Sequence, residues 1–261
     1  MSTFVLIHGA AADSWYWHPL AGQLRARGHD VITPDLPCDD DSATLNDYAD
    51  TVVDAIGTRT DVIVVAHSFG GFTAPLVCER VPVRQLVLLS GMLPAPGETP
   101  GEWWANTGWE AARRERQERD GHAIDDENAV FFHDVPPQLA AEARNRVRDQ
   151  SATPFAHPWP LAEWPSTPTA FLVCRHDRFL PAAFQHRVVR ERLGMVPDEI
   201  DGGHNVALSR PQALADRLAD LSQSAQYGRQ QVGAQCRQIG EVEGVTDVPT
   251  VPPGREQARA A

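Results

Sequence analysis

The chain has no lysine: all 23 of its basic residues are arginine. That absence removes Schiff-base cofactor chemistry and the nucleotide-binding loop whose lysine grips phosphates. Positive charge of any kind is scarce, since 35 acids against 23 arginines leave a net charge of −12. Nucleic acid and anionic lipid are recognised through basic patches that displace counterions, so neither is expected as a partner. Long apolar runs are missing too. A stretch such as Val62 to Ala66 falls far short of the roughly 20 residues that span a bilayer, and Thr3-Phe4-Val5-Leu6-Ile7 follows the start without a basic leader region. The expectation is a soluble, untargeted protein. Cys38, Cys78, Cys174 and Cys236 include no Cys-x-x-Cys pair, which argues against a zinc site or a disulfide framework and fits a reducing cytoplasm.

What is present is enough apolar matter for one large core: 42% hydrophobic residues and seven tryptophans in 261 residues. One domain with an insertion suits that length. Short unbroken aliphatic runs at Thr3 to Ile7, Asp30 to Thr33, Val62 to Ala66, Gln85 to Leu89, Thr169 to Cys174 and near Glu199 read as strands buried on both faces. Helical patterns at Trp15 to Arg27, Leu45 to Ile56, after Phe69, Ala182 to Leu193 and about Arg210 to Leu221 alternate with them. The grammar is α/β, with a mostly parallel central sheet flanked by helices. It is interrupted at about 92–165 by Pro-rich joints, Trp103, Trp104, Trp109 and charged helical stretches at Ala111 to Arg119 and Pro137 to Arg148, which together read as a helical cap. After residue 221 the composition turns to Gln, Gly, Ser and Pro, and four arginines balance four acids. A neutral, disordered tail over 222–261 is expected, with the −12 carried by the folded part.

The chemistry centres on Val62-Ile63-Val64-Val65-Ala66-His67-Ser68-Phe69-Gly70-Gly71, a buried strand, a serine, then glycines opening a helix. A nucleophile at so tight a strand-to-helix turn sits on strained backbone and needs small neighbours. A serine that merely capped a helix would not call for Gly70 and Gly71, because glycine in the first helical turns costs about 1 kcal/mol each unless close packing requires it. Such an elbow predicts an acid and then a histidine at later strand ends. Asp177 follows the strand ending at Cys174, and His204 follows the strand near Glu199. In this reading Asp177 orients His204, which takes the proton of Ser68. Asp201 is the rival acid but lies only three residues before His204, too near to reach the far ring nitrogen well. The oxyanion donors are assigned to the backbone N–H groups of Ala10, in the loop after the first strand, and Phe69. His8 reads as a loop-ordering histidine, His67 as a packing one, and His176 as exposed. Asp39-Asp40-Asp41 lacks the companions of a metal loop and reads as a solvated turn, so no metal is expected.

With these residues the chain resembles the α/β-hydrolases, and within them the branch of plant methylesterases and hydroxynitrile lyases. The resemblance rests on Phe4 to Ala10 with Trp15 and Trp17, on Ala66 to Gly71, on Asp177 with Phe179-Leu180-Pro181 and Phe184-Gln185, and on Gly202-Gly203-His204 with Leu208 to Pro211. It spans residues 3 to about 221. It implies a cofactor-free serine esterase whose helical cap covers an apolar, aromatic pocket for an ester of a small or aromatic acid, with Ala11, Trp104 and Phe131 as candidate lining residues. Ala66 stands where the elbow usually has its first glycine. The lyase members carry a lysine after the catalytic histidine and a threonine in the oxyanion loop; here Asn205 and Gly9 stand there. A non-hydrolytic small-molecule receptor, and a carbon–carbon lyase or lactonase using the same three residues, are the competing readings. Dehalogenase and epoxide hydrolase chemistry needs an aspartate where Ser68 stands.

Overall fold

The computed structural model describes residues 1–121, 123 and 125–223. Most of the expected tail at 222–261 lies outside the described residues. Six strands, β1 (Thr3–Ile7), β2 (Asp30–Ile32), β3 (Val62–His67), β4 (Val83–Leu89), β5 (Thr169–Cys174) and β6 (Asp198–Ile200), form one sheet in the order β2-β1-β3-β4-β5-β6. Every pairing is parallel, as in Val5 opposite Val64 and Leu88 opposite Phe171. Alternate residues of one strand point to opposite faces, and the core divides accordingly. Val5, Ile7, Val64 and Leu88 face one hydrophobic cluster, while Phe4, Leu6, Ile63 and Leu89 face the other.

The first cluster is closed by α2 (Leu45–Ile56), α3 (Gly70–Cys78) and α9 (Ala182–Leu193); the second by α1 (His18–Ala26), α10 (Val206–Ser209) and the helix at 211–223, α11. In α2 the buried side chains are Leu45, Tyr48, Ala49, Val52 and Ile56, a spacing that puts them on one helical face. Thr44 and Asp47 cap its start reciprocally, and Gly57 at φ 58° ends it.

Between β4 and β5 the chain builds α4 (Pro100–Asn106), α5 (Trp109–Asp120), α6 (Glu127–Phe131), α7 (Pro137–Arg144) and α8 (Thr153–Ala156). Trp103 and Trp159 from this insertion are fully buried in the first cluster. Their indole N–H groups donate to the carbonyls of Leu93 (2.8 Å) and Phe72 (3.1 Å). Two expected helices are shorter than the sequence suggests. The turn Ser14–Trp17 is 3₁₀, because the Asp13 carboxylate accepts from Trp15 N–H and Pro19 cannot donate to an earlier carbonyl. The helix starting at Pro137 stops at Arg144, and residues 145–148 turn away so that Arg148 N–H donates to Ala11 O (3.0 Å). Among the described residues no helix is long and apolar enough to cross a membrane.

Candidate active site

Ser68 follows the last residue of β3 and has φ 52°, the left-handed region that side chains avoid. Holding a non-glycine residue there costs about 1–3 kcal/mol, so the surroundings must enforce it. They do so by proximity. A Cβ placed on Gly70 would lie 2.8 Å from the His8 carbonyl oxygen, and one on Gly71 would lie 2.1 Å from that of Met92. The Ser68 carbonyl accepts from Met92 N–H at 2.8 Å and Gly71 N–H at 3.1 Å. Ala66 is wholly buried opposite Leu88, and the methyl group fits where a glycine is usual.

Asp177 is inaccessible to solvent, and both its oxygens are used. Oδ1 accepts from the backbone N–H groups of Phe179 and Leu180, each at 2.8 Å. Oδ2 accepts from His204 Nδ1 at 2.7 Å and from the Gln185 amide at 3.3 Å. With Nδ1 donating, Nε2 of His204 carries the free lone pair. The His204 ring is enclosed edge-on by Phe131 (5.6 Å between centroids) and Phe179 (5.2 Å) and lies against the His67 ring (4.5 Å). Asp201 is removed from this arrangement: it is exposed and accepts from His176 Nε2 at 2.7 Å.

Ser68 and His204 line one cavity of about 340 Å³. The loop after β1 forms its other wall. There Ala11 takes φ 55°, with its N–H donated to Gln150 Oε1 (3.1 Å) and its carbonyl accepting from Arg148 N–H. Neither the Ala10 nor the Phe69 N–H is donated to any group among the described residues. His8 spans the base of the loop: Nδ1 donates to Gly9 O (2.8 Å) and Nε2 accepts from Leu36 N–H (3.0 Å). Burial lowers its pKa. His67 is held well below its usual pKa by burial and, secondarily, by the nearby charge of His204. As the neutral ring it donates Nε2–H to the His204 carbonyl (3.0 Å) and stacks on Tyr16 at 4.8 Å.

Of the candidate lining residues, Ala11 and Phe131 face the cavity and Trp104 does not. Trp104 sits behind Phe179, packed on Trp109 (4.6 Å) and Trp103 (5.0 Å), so it buttresses the wall rather than meeting a ligand. The Phe69 side chain likewise turns into the core and stacks on Phe155 at 4.4 Å. Trp15, Tyr16, Phe132 and Phe179 supply aromatic wall, a role the sequence reading gave to none of them. The cavity is also less apolar than expected, since Asp13, Glu127 and Arg146 line it. Arg146 lies 5.0 Å over the Trp15 ring, and Asp13 is engaged with Trp15 N–H. Asn205, in the slot where lyase relatives have lysine, lines the cavity and donates to the Phe131 carbonyl at 3.1 Å. The acidic run lies elsewhere and holds loops together: Asp39 pairs with Arg148, and Asp40 accepts from the Ser42 N–H and hydroxyl.

A family model described as the alpha/beta hydrolase family matches residues 4–217. The chain is 24% identical to norfluorocurarine synthase 1 of a Strychnos species, over 84% of this chain and 94% of that one. It is 25% identical to methylesterase 7 of Arabidopsis thaliana, over 84% and 95%. The crystal structure of polyneuridine aldehyde esterase superimposes with a TM-score of 0.71 at 22% identity, covering 85% of this chain and 99% of that one. This last likeness speaks for the fold.

Proposed function

Since the chain belongs to the alpha/beta hydrolase family, we propose that it is a serine hydrolase cleaving a carboxylic ester of a small or aromatic compound, with Ser68, His204 and Asp177 as its triad. The observation that carries this is the 2.7 Å bond from His204 Nδ1 to a fully engaged Asp177, in a ring that shares a cavity with a serine on strained backbone. Similarity to a methylesterase supports an ester as the substrate.

In the first half-reaction Ser68 Oγ attacks the ester carbonyl as His204 Nε2 takes its proton. Asp177 fixes the ring and stabilises the imidazolium. The undonated N–H groups of Ala10 and Phe69 receive the oxyanion; one such donor is worth about 3–4 kcal/mol in comparable sites. His204 then protonates the leaving alcohol, the C–O bond breaks, and Ser68 is left acylated. Water deprotonated by His204 attacks the acyl-enzyme, and collapse of the second tetrahedral species returns free Ser68 and the acid. No cofactor takes part. The aromatic wall around Phe131 and Phe179 suits a flat apolar substrate. We place the protein in the cytoplasm, in keeping with free thiols at Cys38, Cys78 and Cys174 and a net charge of −12 that disfavours nucleic acid and anionic membrane.

Turnover of p-nitrophenyl acetate tests the proposal, with Ser68→Ala as the control. The substitution is expected to abolish turnover and leave the fold intact. Retention of more than about one part in a hundred of the activity excludes Ser68 as nucleophile, because removal of a triad serine normally costs far more.

A further inference from the structure

The turn that carries His204 is gripped from two sides. From the sheet, His67 Nε2 donates to the His204 carbonyl. From the inserted helices, the segment following α6 reaches over it. Asp134 Oδ2 accepts from Gly203 N–H (2.8 Å), the residue before the histidine, and from the Ser209 hydroxyl (2.8 Å) in the last residue of α10. Asn205 adds its bond to Phe131 O. The approach is so close that a Cβ on Gly203 would lie 2.6 Å from Asp134 Oδ1, so glycine is what lets the carboxylate reach the backbone amide.

We propose that Asp134 is a positioning residue for ester hydrolysis: by bonding both flanks of the His204 turn, it sets the imidazole at the height where one nitrogen meets Asp177 and the other serves Ser68. The inference rests on the hydrolase reading above. Both donors converge on Oδ2, and Oδ1 is buried without a hydrogen-bond partner among the described residues. The role therefore needs one oxygen with two lone pairs and does not need the negative charge. An asparagine oxygen can fill it, whereas alanine leaves Gly203 N–H and the Ser209 hydroxyl unheld. A misplacement of about 1 Å in a catalytic group can cost on the order of 100-fold in rate.

The test compares the unsubstituted full chain with Asp134→Ala, Asp134→Asn and Ser209→Ala on p-nitrophenyl acetate, kcat being expressed per serine titrated with a fluorophosphonate and folding checked by circular dichroism. Asp134→Ala is expected to lower kcat roughly 10- to 100-fold with KM within about threefold. Asp134→Asn should stay within about threefold of the unsubstituted enzyme, and Ser209→Ala, which keeps the Gly203 bond, should fall between them. An Asp134→Ala kcat equal to that of the parent, or an equal loss in Asp134→Asn, overturns the proposal. If Asp134→Ala does not fold, a Ser209→Ala kcat equal to the parent overturns it as well. An inactive parent instead overturns the hydrolase reading, and this inference with it.

Discussion

Adding one methyl group at Gly71 should damage the protein, while the same change at Gly22 should strengthen it. At Gly71 the new Cβ would lie 2.1 Å from Met92 O and 3.0 Å from both Met92 C and Met92 N. These are backbone atoms, so no rotamer change relieves the clash, and α3 or the chain at Met92 must retreat by about 1 Å. Overpacking of this kind costs about 1–3 kcal/mol, and a backbone obstacle puts Gly71→Ala at the upper end. For a unit the size of residues 1–222, 1 kcal/mol moves Tm by about 2–4 °C, so a fall of about 6–12 °C is expected. Met92 N–H also bonds the Ser68 carbonyl, so the retreat deforms the elbow and should lower ester turnover more than tenfold. Gly22 lies exposed in α1 with nothing within 4 Å of its Cβ. Alanine there gains about 0.5–1 kcal/mol through helix propensity, or about 1–4 °C. Thermal melts followed by circular dichroism and a p-nitrophenyl acetate assay decide the matter. If Gly71→Ala melts within about 2 °C of the parent, the argument from close approach is wrong.

Three further outcomes are expected. Burial pushes the Cys78 thiol up to about 12 and raises those of Cys38 and Cys174, so all three stay protonated and unreactive at pH 8. A folded Cys236→Ser variant should show less than one thiol with Ellman's reagent, and three once denatured. Burial opposes ionisation of Glu98, yet bonds from Arg192 and Asn106 outweigh it and its pKa is lowered. The pair's stability is thus fully present above the ordinary carboxylate range and lost as pH falls through the depressed value. Urea unfolding should find Glu98→Gln less stable by about 3 kcal/mol at pH 7, with the gap narrowing as pH falls below the ordinary carboxylate range; a gap as wide at pH 3 as at pH 7 refutes the assignment. Asn205 carries no charge to stabilise departing cyanide, a Coulomb contribution worth several kcal/mol in a water-poor pocket. Mandelonitrile should accordingly release no cyanide above the uncatalysed rate while esters turn over on the same preparation, and the opposite pattern would favour the lyase reading.

The sheet was legible because its strands are buried on both faces, so runs such as Val62 to Ala66 are uniformly aliphatic and stand apart from the amphipathic helices. The placement of Ser68, Asp177 and His204 was legible for a related reason: in a parallel sheet all strand ends of one kind gather at one edge, and chain order alone brings the three together. The inserted helices were harder. α4, α6 and α8 are seven, five and four residues long, too short to display a helical period. Trp104 shows the limit of composition, since an aromatic residue announces burial but not which cavity it borders. Nothing in the sequence ties Asp13, Glu127 and Arg146 to the cavity, because its walls are assembled from segments far apart in the chain. Asp134 was hidden likewise, its partners Gly203 and Ser209 being 69 and 75 residues distant.

Ala11 emerges from the ribosome 139 residues before the Gln150 side chain that accepts its N–H. At roughly 5–20 residues per second, that is about 7–30 s of synthesis during which the left-handed bend at Ala11 lacks its bond to Gln150. The serine turn draws on residues made far sooner, since β1, β3, β4 and the Met92 N–H that bonds the Ser68 carbonyl all precede α4. On the proposed assignment, a nascent chain halted early in the insertion holds Ser68 and Ala10 but neither Gln150 nor His204. With His204 as the proposed base, fragments ending before residue 204 are expected to be inert toward esters however well their strands have paired.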